Sequence, residues 1–224
     1  MDFKMNNLNQ LILNFDYDQN FKNLDFYVSK SNMNVFNLIN NWSKKNEKFL
    51  NIIGEKFCGK SHLINIFLEK NKGLKIDSNK LNDDFLKKIK FYKNIILEDL
   101  TLNINEKLFY SLINIVEVED KNLIVTSDVS IVKLDFILSD LKSRSKNFTL
   151  ANIENPDDDL IFALLLKNLS DRQISIDKKL IDYIIKRIDR SYSNISDFIY
   201  KIDELSLKKK KSIDFKIIKQ ALED

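Results

Sequence analysis

A chain of 224 residues with 44% hydrophobic and 31% charged residues can bury a substantial core, as one large domain or two small ones. Its net charge of +3 is near balance, which excludes a general basic footprint for nucleic acid, so any DNA contact has to be local or borrowed from a partner. One cysteine excludes an internal disulfide framework and a Cys-rich metal site, and the absence of any apolar run of spanning length or signal-peptide layout predicts a reducing, cytoplasmic setting with no membrane contact.

Before the first strand, Phe36, Ile39 and Trp42 share one helical stripe and read as core. Residues 49–53 (FLNII) then read as a buried strand, and Ser61 to Lys70 as an amphipathic helix. Four further strands are predicted at 74–77 (LKID), 94–97 (NIIL), 123–126 (LIVT) and 148–151 (FTLA). Helical segments lie between them at 82–90, at 105–117 with Leu108, Leu112, Ile115 and Val116 on one stripe, and around 139–143. Strands alternating with helices imply a mostly parallel, five-stranded sheet covered on both faces. At Asn155-Pro156-Asp157-Asp158-Asp159 the character changes: Asn155 can cap, the only proline takes the first helical position, and three acids suit the helix dipole. Helices are predicted from there at 156–169, 177–188, 194–207 and 214–222, a small bundle, with Lys208 to Lys211 a solvated helix end rather than a nucleic-acid patch.

The strand at 49–53 and the helix at 61–70 frame Gly54-Glu55-Lys56-Phe57-Cys58-Gly59-Lys60-Ser61, which spends two of three glycines on a phosphate-binding loop. Gly54 and Gly59 free the backbone to wrap N–H groups around the β- and γ-phosphates, Lys60 adds a point charge, Ser61 supplies a Mg²⁺ ligand, and the helix N-terminus faces the anion. The loop predicts ATP or ADP, with Mg²⁺, as ligand. His62 and Cys58, the only histidine and cysteine, sit beside it and read as packing residues rather than catalysts. A metal-bound triphosphate also needs an acid at a neighbouring strand end, and Glu98-Asp99 supplies two: Glu98 to hold hydrated Mg²⁺ together with Ser61, Asp99 to orient a water. The next strand ends Thr126-Ser127-Asp128, where Asp128 can touch the γ-phosphate or its water.

These motifs, in this order and with a helical lid behind them, resemble the AAA+ ATPases, in particular the DnaA-type replication initiators and their Hda relatives. The resemblance also rests on the segment from Asn20-Phe21 through Leu24-Asp25 and Tyr27-Val28 to Ser31-Asn32, on the strand Val125-Thr126-Ser127-Asp128, on Asp140 to Arg144 (DLKSR), and on Asp171-Arg172-Gln173-Ile174 with Arg187 to Ser191 (RIDRS). It implies residues 20–154 as the nucleotide-binding core, 155–224 as the lid, and 1–19 as a linker carrying a sliding-clamp peptide. That peptide would be Gln10 to Phe15, with Leu11, Leu13 and Phe15 in an apolar pocket and Gln10 anchoring through its amide. Arg144 matches the family's arginine finger.

The resemblance implies a regulator of replication initiation: tethered to the clamp's β subunits and so to DNA, it would supply Arg144 in trans to ATP on the DnaA initiator, stimulate its hydrolysis and prevent re-initiation. The chain ends after the lid, where an initiator carries a helix-turn-helix domain, which favours regulator over initiator. Two features depart from the family. Glu98 replaces an aspartate, and alignment of the sensor-2 helix puts Glu204 where an arginine meets the phosphates, with Lys201 one turn earlier. Weak autonomous hydrolysis is therefore expected, with nucleotide acting as a structural ligand. A homodimer is compatible with this. The alternatives are a helicase loader or adaptor spending its own ATP through Glu98 and Asp99, or a passive nucleotide-bound scaffold.

Overall fold

The computed structural model describes residues 26–42, 47–172, 174, 176–209 and 211–223. The clamp-peptide residues Gln10, Leu11, Leu13 and Phe15, the stretch from Asn20 to Asp25, and Gln173 lie outside the described residues. Five strands, β1 (Phe49–Ile53), β2 (Gly73–Asp77), β3 (Asn94–Leu100), β4 (Asn122–Ser127) and β5 (Thr149–Asn152), form one parallel sheet in the order β2-β3-β4-β1-β5. The predicted parallel sheet is thus present, with each strand within a few residues of its expected bounds.

Alternation along the strands sorts side chains onto two apolar faces. Ile95, Leu97, Leu123 and Val125 join α3 (Asp83–Lys88), α4 (Glu106–Val118) and α5 (Ser139–Ser145) in one core. Leu50, Ile52, Ile96 and Ile124 point the other way, onto α1 (Met33–Asn40) and α2 (Lys60–Lys70), where Trp42 and Ile39 are also buried. On α4 the buried stripe is Phe109, Leu112, Ile113 and Val116, one position round from the predicted one, so Leu108 and Ile115 are only partly covered. Ile124 is fully buried at the centre of the sheet, so Ile124→Val is expected to cost about 1 kcal/mol in denaturant unfolding, the usual loss for one core methylene.

The bundle comprises α6 (Asp158–Asp171), α7 (Lys178–Ile185), α8 (Tyr192–Lys209) and α9 (Phe215–Glu223), with a separate core of Ile161, Leu165, Ile184, Phe198, Ile202 and Ile218 among others. The expected cap by Asn155 is not the one formed. Asp157 accepts from the Leu160 N–H at 2.9 Å, so α6 starts two residues after Pro156, because an aspartate next to the first turn satisfies the same orphan donors with the better dipole match. Leu160 and Tyr192 leave the bundle's own core and pack into the sheet core over α2, which seats the bundle against the nucleotide end of the sheet.

Candidate nucleotide-binding site

Parallel strands deliver their C-terminal ends to one edge, where open α/β sheets bind ligands. That edge carries the loop after β1, the Glu98-Asp99 end of β3 and Asp128 after β4. The loop is anchored at its base by the Gly54 N–H donating to the Ser127 carbonyl at 3.2 Å. Gly54 is required here, since a Cβ would lie 2.5 Å from Cys58 Sγ and 3.2 Å from Ile153 Cβ. Gly59 caps α2 with φ of 97° and has no side chain to cap the first turn; the Lys60 N–H bonds the Cys58 side chain, and the helix N-terminus is of the kind that meets anions. Lys56 and Phe57 are exposed, whereas Cys58 and His62 are buried; Phe57 also has a positive φ of 66°. Burial pushes the Cys58 thiol up to about 11, which keeps it an inert packing group, and His62 sits edge-on to the Phe26 ring at 5.2 Å. Both match the packing roles read from the sequence.

Lys60 is the centre of the site. Its Nζ is only 6% exposed as a side chain and donates to the Gly54 carbonyl at 2.6 Å, the Glu55 carbonyl at 3.0 Å and Asp128 Oδ1 at 2.9 Å. A buried ammonium with three oxygen acceptors at the loop mouth is a cation ready for phosphate oxygens. Asp128 is held in place from β1: Asn51, fully buried, donates to Ser127 Oγ at 2.8 Å and accepts the Ile131 N–H at 2.9 Å, pinning both sides of the turn. The sequence pointed to Asp128 as a group that can touch a γ-phosphate or its water; its ion pair with Lys60 was not readable from it.

The two acids of β3 diverge. The strand bulges between Leu97 and Leu100, with Asp99 at φ of 52°, its carbonyl accepting Ser78 Oγ at 2.6 Å and its N–H donating to Thr126 Oγ1 at 3.0 Å. Glu98 is buried on the α2 face; Oε2 pairs with Lys75 at 3.0 Å, and Oε1 has no hydrogen-bond partner among the described residues. Desolvation, then the negative charge of Glu98, raises the Asp99 carboxyl above its ordinary value, with Asp77 and Asp128 adding and Lys60 opposing. Among the described residues no three carboxylate, imidazole or thiol groups form a metal cluster. The donor set suits Mg²⁺ in the way that ion is usually held, by one or two protein oxygens with phosphate and water completing its shell. The orphaned Glu98 Oε1 is the buried oxygen such an ion would use.

One contact of the loop could not be read from the sequence. Glu55 reaches α8, accepting the Tyr192 N–H at 2.9 Å and the Ser193 N–H at 3.2 Å, while Tyr192 Oη donates to the Glu154 carbonyl at 3.0 Å. Burial pushes the Glu55 carboxyl up, but hydrogen bonds from the Ser193 hydroxyl, the Tyr192 and Ser193 amides and Ser191 together hold it below its ordinary 4.5. A carboxylate depressed in the native state stabilises fully above its unfolded value and loses that contribution as pH falls through the native one. Acid titration followed by bundle unfolding should show this loss in wild type, with a shallower slope below 4.5 in Glu55→Gln.

The position of α8 corrects the sensor-2 alignment. Glu204 is twelve residues beyond Tyr192, about 18 Å along the helix axis, and pairs with Lys208 at 2.6 Å. That sets it well away from the Glu55 contact at the start of the helix, and Lys201 is also more than two turns along α8. The residues nearest the loop, Tyr192 to Ile199, include no lysine or arginine.

Arg144 lies elsewhere. It ends α5 just before β5 begins and forms an ion pair with Glu117 at the end of α4, its guanidinium 5.3 Å from the Tyr110 ring centroid. Both α4 and α5 end where the next strand starts, so Arg144 occupies the N-terminal edge of the sheet, opposite its own P-loop.

The parallel sheet, the glycine loop leading into α2 and the helical bundle define a P-loop-like α/β fold with a helical bundle behind it. No family model matches the chain. Its sequence is similar to chromosomal replication initiator protein DnaA of Buchnera aphidicola subsp. Cinara cedri, 24% identical with 98% of this chain covered, and of Caldanaerobacter subterraneus subsp. tengcongensis, 22% identical with 77% covered. The chain spans about half of those relatives, 56% and 44% of their lengths. Domain III of DnaA from Thermotoga maritima superposes with a TM-score of 0.73 at 19% identity, over 92% of this chain and 97% of that one. AMPPCP-bound DnaA from Aquifex aeolicus does so with a TM-score of 0.62 at 18% identity, over 83% and 68%. The fold is therefore that of a DnaA-type AAA+ module, and the sequence resembles the DnaA-type branch of that family.

Proposed function

We propose that this protein is a nucleotide-bound regulator of replication initiation that acts on the ATP of a DnaA-type partner. The resemblance to DnaA initiators supports the replication setting, and the observation that carries the reading is Arg144 at the sheet edge opposite its own P-loop. An arginine there cannot serve the chain's own phosphates and is available to those of a neighbour. Aimed at a partner's γ-phosphate, its guanidinium stabilises transition-state charge.

The chain's own loop would hold ADP or ATP as a structural ligand, with Ser61 and Glu98 on Mg²⁺, which neutralises phosphate charge when bound. A loader spending its own ATP is less well supported. Asp128 is already paired with Lys60, and α8 brings no cation to the loop in its first two turns. Gln10, Leu11, Leu13 and Phe15 would provide the tether to the sliding clamp, and helices α6 to α9 the lid.

The test is hydrolysis of ATP pre-bound to the cognate initiator, with clamp-loaded DNA, with and without this protein. Acceleration that needs both clamp and protein supports the reading. No acceleration, with this protein turning over its own ATP instead, moves the assignment to a loader.

A further inference from the structure

The first turn of any helix exposes four N–H groups without helical acceptors, and their partners report what the helix end is built to meet. On α8 every one is accounted for: the N-cap Ser191 donates to the Asp189 carbonyl at 2.9 Å, Tyr192 and Ser193 donate to the two oxygens of Glu55, and Asn194 donates to Ser191 Oγ at 3.0 Å. Two of these four bonds therefore cross from the bundle to the phosphate loop, onto a residue 137 positions away. No cation from the first two turns of α8 reaches toward the loop; instead the loop sends a carboxylate to the positive end of the helix.

We propose that Glu55 is the positioning residue that couples occupation of the P-loop to the seating of the helical bundle, a role that rests on the loop's binding a nucleotide. The link runs through the main chain. Lys60 Nζ holds the carbonyls of Gly54 and of Glu55 itself, so the ammonium fixes the main chain of the residue whose carboxylate holds the start of α8. When Lys60 turns to phosphate oxygens, those carbonyls lose their donor, the Glu55 backbone shifts, and the carboxylate carries the shift to Tyr192 and Ser193. Tyr192 is buried in the sheet core and bonded to the Glu154 carbonyl, so movement at the α8 end is transmitted as a tilt of a rigid helix rather than as fraying.

The experiment is amide hydrogen exchange on the full chain with and without saturating Mg²⁺-ADP. Wild type should show nucleotide-dependent slowing at Ile195, Phe198 and Ile199. Ser193→Pro removes the bridging N–H and hydroxyl of that residue from the bundle side, at a first-turn position that tolerates proline, and changes no residue of the loop. It should bind ADP as wild type does, yet show a nucleotide-dependent slowing smaller by at least about tenfold, since a single hydrogen bond to a charged acceptor is worth that much and two are removed. Glu55→Ala at saturating ADP should abolish the response. An undiminished response on α8 in both variants overturns the coupling. Failure of wild type to bind ADP at all is a different result and overturns the nucleotide reading beneath it.

Discussion

Replacing Arg144 with alanine is expected to abolish stimulation of partner ATP hydrolysis, a loss on the order of 10³ to 10⁵ in rate if the side chain acts as arginine fingers do in other NTPases. The variant should fold normally. Arg144 is 27% exposed as a side chain, its partner Glu117 is nearly half exposed, and a pair of this kind contributes about 0.2–1 kcal/mol. Lost packing of the guanidinium on Tyr110 adds a contribution of the same order. Activity lost with a melting temperature hardly moved therefore separates a transferred charge from a structural one. Arg144→Lys makes the test sharper, because a lysine keeps the charge but not the planar fork that matches phosphate oxygens, so it should recover little of the rate. A variant that stimulates the partner as wild type does would leave the chain a scaffold, and the tether residues would then become the ones to mutate.

Lys60→Ala is expected to lower nucleotide affinity by about 10²-fold, taking the ~3 kcal/mol at the upper end for hydrogen bonding between charged groups, here ammonium and phosphate. The same substitution frees Asp128, but that carboxylate is 53% exposed and can rehydrate, so the fold is not expected to suffer. Titration with a fluorescent nucleotide reads the affinity, and retention of wild-type binding would mean that phosphate is held elsewhere. Asp128→Asn supplies the converse. In the native arrangement Asp128 competes for Lys60 and would face a γ-phosphate of like charge, so its neutralisation should tighten ATP binding more than ADP binding.

Much of the architecture was legible in the sequence because it depends on local periodicity. The FLNII strand, the loop and the SHLINIFLEK helix are adjacent in the chain, and the constraints at Gly54 and Gly59 are backbone constraints that a sequence displays directly. The change from alternating strands and helices to helices alone was also visible at the single proline and its acids, although the cap fell to Asp157. The sensor-2 alignment failed for a geometric reason. A helix advances about 1.5 Å per residue, so the face that meets the loop is set by where α8 starts, and the sequence pattern started it two residues late while the alignment looked twelve residues further along.

Composition, motif and periodicity were thus enough to establish a P-loop in a parallel α/β sheet followed by a helical bundle, because glycine geometry, strand alternation and helix stripes act over a few residues. Folding settled the electrostatics. Lys60 finds Asp128 across 68 residues, Glu98 finds Lys75 on the neighbouring strand, and Glu55 finds the α8 amides across 137. Such partners are chosen by strand order and by how the bundle sits on the sheet, and a charge carries no local signature of the one it will meet.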